Sequence, residues 1–102
     1  MERAVGHLSQ VPAGEGRNFV VDELRIAVFH SRDGSVFATQ AVCPHRGGPL
    51  ADGLTDGESV ICPLHDRIYN LRTGAGSVAG CDIRVYPARC HDDGTILVLT
   101  GP

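Results

Sequence analysis

Two short apolar runs, Leu24-Arg25-Ile26-Ala27-Val28-Phe29 and Ser35-Val36-Phe37-Ala38-Thr39, flank the turn-rich segment Ser31-Arg32-Asp33-Gly34. Each is strand-length, rich in β-branched and aromatic residues, and far too short for a helix. The arrangement is that of a hairpin. A second set repeats it: Ile83-Arg84-Val85-Tyr86 and Thr95-Ile96-Leu97-Val98-Leu99 flank His91-Asp92-Asp93-Gly94. Asn18 to Val21 and Glu58 to Cys62 are further strand candidates. No stretch carries ten residues of helical periodicity, and thirteen Gly with six Pro interrupt the chain throughout. The pattern predicts an all-β sandwich or small barrel. With 102 residues, no internal repeat and no low-complexity linker, one domain over 1–102 is expected.

Hydrophobic residues make up 42% of the chain, enough for a small core. A core of that size gains from any metal bound only by the folded state. The formal net charge is −3 and all nine cations are Arg, with no basic run, so a nucleic-acid partner is not expected. No segment reaches the ~20 apolar residues of a membrane span. The N-terminal Met-Glu-Arg-Ala-Val-Gly-His-Leu lacks the apolar run of a signal peptide, and a cytoplasmic location is expected. Four cysteines in that reducing compartment point to metal or redox chemistry before disulfides.

The cysteines of interest come paired with histidines. Cys43-Pro44-His45-Arg46-Gly47-Gly48-Pro49-Leu50 holds one thiol and one imidazole. After sixteen intervening residues comes the second pair, in Cys62-Pro63-Leu64-His65. Each box follows a strand candidate (Val36 to Val42, Ser59 to Ile61), so both loops should project from the same end of the sandwich. Gly47 and Gly48 would make the first loop tight and allow close backbone approach. Pro44 and Pro63 restrict the preceding cysteine and remove a donor. A structural Cys2His2 zinc site satisfies the ligand preferences, but the usual order is Cys-Cys then His-His. A catalytic zinc would keep three ligands and an open position. The remaining reading is a two-iron centre with both cysteines on one iron and both histidines on the other, the distribution of a Rieske [2Fe–2S] cluster.

These boxes, with the following Asp66-Arg67-Ile68-Tyr69-Asn70-Leu71-Arg72-Thr73-Gly74, resemble the Rieske family motif C-x-H…C-x-x-H with its aromatic residue and T-G turn. The resemblance runs from about Gly16 to Leu99. It implies a Rieske-type β-sandwich with a cluster-binding subdomain at about 41–76. It implies Cys43, His45, Cys62 and His65 as the ligands of one [2Fe–2S] cluster. It further implies coordination through histidine Nδ1, leaving the Nε2 edges to face an electron-transfer partner.

Within the family, C-P-H-R-G-G-P-L-A-D-G and Gly80-Cys81-Asp82-Ile83-Arg84-Val85-Tyr86-Pro87-Ala88-Arg89 look most like the small subunit of cytoplasmic NAD(P)H-dependent nitrite reductase. Many such subunits lack the cluster ligands, whereas this chain keeps all four. The ferredoxin of ring-hydroxylating dioxygenase systems is the alternative. The expected partner is therefore a nitrite reductase large subunit, or a flavin reductase and terminal oxygenase. No catalysis is expected from the isolated chain. An alternative of another class is a structural module, carrying zinc or a vestigial site, that stabilises a larger subunit.

Replacing two thiolates by neutral imidazoles moves the potential to roughly −150 to +300 mV, against roughly −400 mV for an all-cysteine plant-type centre. Respiratory members of the family carry a disulfide between the boxes and a hydroxyl two residues past the second histidine. Here Gly47, Gly48, Leu64 and Arg67 stand in those neighbourhoods, which predicts the low end of that window. Tyr69 occupies the family's aromatic position, its hydroxyl solvated or packed on the loop. Asp66 and Arg67 are read as a docking edge, as groups that tune the cluster, or as ordinary solvated loop. Arg46 faces a partner or covers its loop. Gly74 and Gly76 are assigned to a turn closing the subdomain. Cys81 and Cys90 are expected to be small buried hydrophobes, and His7, His30 and His91 to be solvated or at the core edge.

Overall fold

The computed structural model describes residues 2–44, 47–63, 67–78 and 81–100. Among the described residues there is no α-helix, and the strands form three antiparallel sheets. The central sheet has four strands: β2 (Glu15–Val21), β3 (Leu24–His30), β4 (Val36–Gln40) and β8 (Val85–Tyr86), in that order. A second sheet places β10 (Thr95–Leu99) between β1 (Glu2–His7) and β9 (Ala88–Cys90). The third is small: β5 (Leu54–Asp56), β6 (Ser59–Ile61) and β7 (Ile68–Asn70).

The run Ile26-Ala27-Val28-Phe29 is apolar without alternation because the central sheet is covered on both faces. Successive side chains of a strand point to opposite faces. Ile26 and Val28 pack with Ala38, Ile96 and Val98 against the second sheet. Ala27 and Phe29 pack with Phe37, Leu50, Val60, Tyr69 and Leu71 on the other side, toward the third sheet. The sandwich core and the core beneath the cysteine boxes therefore share one strand.

The β3–β4 hairpin forms where expected, with Gly34 at φ 95 and the Asp33 carboxylate accepting the Ser35 N–H at 2.9 Å. The other expected hairpin is corrected. Thr95–Leu99 pairs with Ala88–Cys90, not with Ile83 to Tyr86, and Val85–Tyr86 joins β4 in the central sheet instead. Pro87 is the reason. It has no N–H to donate and a fixed φ, so it interrupts any ladder running through it. The chain crosses from one sheet to the other at this residue, and its carbonyl accepts the Leu99 N–H at 2.8 Å. The strand expected to reach Val42 ends at Gln40, leaving Val42 in a single bridge to Pro49.

Candidate metal centre

Both cysteine boxes are loops closed in the same way. The Cys43 N–H donates to the Gly48 carbonyl at 2.7 Å, and the Cys62 N–H donates to the Arg67 carbonyl, also at 2.7 Å. In each, the cysteine is the first of six residues and its own amide shuts the loop. The first loop is clamped further by the Val42–Pro49 bridge and by the Gly47 N–H on the Cys43 carbonyl at 2.8 Å. Gly47 sits at φ 68, and a Cβ there would meet open space. Its contribution is the left-handed turn, not the close approach expected from the sequence. The second loop is held at its base by the Ile61–Ile68 pair of the third sheet.

The closures turn both cysteine side chains inward while Pro44 and Pro63 stay exposed. Cys43 is 2% exposed and Cys62 is fully buried, in one cluster with Phe29, Leu50, Val60 and Tyr69. Tyr69 is also fully buried, its hydroxyl 3.0 Å from the Cys43 sulfur. The sequence left this hydroxyl solvated or merely packed; it is neither. Burial, first of all, holds the phenol well above its ordinary range. The hydrogen bond to Cys43 and the negative charge of the Cys43 and Cys62 sulfurs add to this, while Arg67 opposes it. Tyr69 therefore stays a neutral phenol facing sulfur.

Arg67 ends the second loop, and its Nε and Nη1 are buried with no hydrogen-bond partner among the described residues. The sequence singled this residue out without indicating which way the guanidinium turns. Val42, Ile68 and Val78, beside or near these loops in the chain, are each more than two-fifths exposed.

Gly74 and Gly76 close the far side as expected. Gly74 has φ 83, and a Cβ there would run into the Ile83 carbonyl. Gly76 bridges to Tyr69, its own missing Cβ leaving room for the Cys81 carbonyl. The segment after the T-G turn is thereby laid against the strand that carries Tyr69.

His45 and His65 lie outside the described residues, as do Arg46, Leu64 and Asp66. Of the four candidate ligands, the structure thus describes the two cysteines. Cys81 and Cys90 are half-buried and carry no disulfide. His91 and His7 are exposed, but His7 is engaged: its ring nitrogens bond Ser9 Oγ at 2.9 Å and the Asp93 carbonyl at 2.8 Å. His30 bonds the Val11 carbonyl at 2.8 Å. Among the described residues no helix is long and apolar enough to cross a membrane.

The chain has relatives along most of its length. The biphenyl dioxygenase ferredoxin subunit of Pseudomonas sp. (strain KKS102) is 38% identical over 85 residues, covering 80% of this chain and 77% of that one. The ferredoxin of carbazole 1,9a-dioxygenase from Nocardioides aromaticivorans IC177 superimposes with a TM-score of 0.84 at 30% identity, covering 99% of each chain. A structure described as an NADH-dependent nitrite reductase small subunit, from Mycobacterium tuberculosis, gives a TM-score of 0.91 at 24% identity, with 100% of this chain and 96% of that one covered. That last likeness concerns the fold alone. The profile of the Rieske [2Fe-2S] domain matches residues 2–87. The chain belongs to the Rieske [2Fe-2S] domain family, and its cofactor is a Rieske-type [2Fe–2S] cluster.

Proposed function

We propose that Cys43, His45, Cys62 and His65 hold the cluster, one thiolate and one imidazole from each loop, and that the chain carries single electrons to a larger redox enzyme. The observation that carries this reading is the pair of buried cysteines. Each occupies the first position of a loop closed by its own amide, and one lies within hydrogen-bond distance of a buried tyrosine hydroxyl. The surroundings fit an electron-rich iron–sulfur group. Two buried sulfurs stand with a neutral phenol facing one of them, and with the buried Nε and Nη1 of Arg67, which have no partner among the described residues.

When bound, the cluster supplies a reversible one-electron couple. The chain's residues do the rest. The closed loops fix the two sulfurs before loading, Tyr69 stabilises charge on Cys43, and the core around Phe29 and Leu50 keeps water from the thiolates. Residues 41–76 act as the cluster-binding subdomain of one domain, with its loop tips as the docking end.

The relatives at 30% identity and above favour a ferredoxin that serves an aromatic-ring dioxygenase. The second reading, a nitrite reductase small subunit, keeps the support of the C-P-H-R-G-G-P-L-A-D-G and G-C-D-I-R-V-Y-P-A-R stretches. Anaerobic mixing of the reduced holoprotein with a terminal oxygenase of the biphenyl type, or with a sirohaem-containing reductase, separates them. Rapid reoxidation by the oxygenase alone supports the ferredoxin. Rapid reoxidation by the sirohaem enzyme alone overturns it in favour of the nitrite system. Cys43→Ser and Cys62→Ser should each abolish iron retention in either case.

A further inference from the structure

Buried N–H groups in folded proteins almost always find an acceptor, and a buried charge without one is costly. Among the described residues, Arg67 has no acceptor at either Nε or Nη1. Its surroundings narrow the choice of acceptor. The Arg67 carbonyl accepts the Cys62 N–H at 2.7 Å, and the Arg67 charge acts on Tyr69, which also feels the Cys43 and Cys62 sulfurs. Guanidinium, phenol and both cysteines therefore share one buried neighbourhood. Among the described side chains there, the acceptors are the two sulfurs and the Tyr69 hydroxyl. Four other arginines differ in kind: Arg3, Arg17, Arg72 and Arg89 each meet a carboxylate at the surface.

We infer that Arg67 is an electrostatic positioning residue for the redox centre, directing its Nε–Nη1 edge at the sulfur side of the cluster held by Cys43 and Cys62. The inference rests on the cluster reading above. The edge donates hydrogen bonds to sulfur, and the fixed positive charge favours the reduced state, which carries one more negative charge. Arg suits this task better than Lys, because its donors lie in a planar fork and its charge survives burial. Burial also makes the effect insensitive to salt, unlike that of a surface charge.

The test is a redox titration of Arg67→Gln and Arg67→Lys holoproteins beside wild type, at low and high ionic strength, with iron and sulfide measured in each sample. Loss of the charge in Arg67→Gln should weaken electron affinity about tenfold, a midpoint 59 mV lower for one electron, at both salt concentrations. Arg67→Lys should recover part of the loss. An Arg67→Gln protein with full iron and sulfide but an unchanged midpoint, or a difference that disappears at high salt, overturns the inference and leaves the cluster reading intact. If wild type itself holds no iron and sulfide, the cluster reading is what fails. Should Arg67→Gln not load, pulsed EPR on reduced protein labelled with nitrogen-15 arginine, in an Arg46→Lys background, decides. A resolved arginine nitrogen coupling supports the contact, and its absence refutes it.

Discussion

Tyr69 shows how much one side chain's direction matters. Its ring fills the core beside Leu50 and Val60, and its hydroxyl ends 3.0 Å from the Cys43 sulfur. Hydrogen bonds to charged acceptors contribute roughly 1.5–3 kcal/mol, and part of that differs between the two redox states. Tyr69→Phe keeps the ring and deletes the donor. The midpoint should fall by on the order of 1 kcal/mol in electron affinity, about tenfold at the most, while the far-ultraviolet CD spectrum stays unchanged. An unchanged midpoint in a fully loaded variant would mean the hydroxyl contributes nothing to the couple. The residue scale is also where the sequence was least informative. Cys43, His45, Cys62 and His65 stand out as the proposed ligands by their spacing, because such an order is written along the chain. Which way Tyr69 and Arg67 turn is not, because that depends on a third sheet built from three-residue strands with no periodicity to read.

The elements divide along similar lines. Strands β2, β3, β4, β6 and β10 were legible because their apolar runs are bounded by turn residues. β1 was not: it starts Glu2-Arg3-Ala4 and is largely exposed, so its apolar signal is weak. β9 was displaced in the reading by the more apolar Ile83 to Tyr86, whose continuation Pro87 stops. The β2–β3 turn carries a testable consequence of its own. Asp22 and Glu23 sit at φ 50 and 68, the left-handed pair of a two-residue hairpin turn. Neither is glycine, and Glu is poorly suited to that region. Glu23→Gly should relieve this strain and raise stability by about 0.5–1 kcal/mol, against the entropy glycine adds to the unfolded chain. Chemical denaturation of the holoprotein checks it. A loss of stability would show that Glu23 makes a contribution beyond backbone geometry.

At the scale of the molecule, the central sheet joins two cores, one closed by β1, β9 and β10 and one closed by the cysteine loops. The second core contains Cys43 and Cys62, two of the proposed ligands, so cluster binding and folding should be coupled. Removing the cluster anaerobically with a chelator should lower stability by several kcal/mol, as expected for a group bound only by the native state. The change should appear as a lower thermal midpoint and faster hydrogen exchange at Cys43, Cys62 and Tyr69, with less effect at Ile96 and Val98. Uniform loss of protection in both cores would contradict this division.

The central claim is that the two loops each give one thiolate and one imidazole to a two-iron centre. Mössbauer spectroscopy of protein grown on isotopically enriched iron, oxidised and then reduced by one electron, tests it most directly. The account predicts two inequivalent iron sites in equal amounts. On reduction, the added electron should localise on the imidazole-ligated iron while the thiolate-ligated iron stays ferric. Two equivalent thiolate-ligated irons, or zinc with no iron in the purified protein, would contradict it.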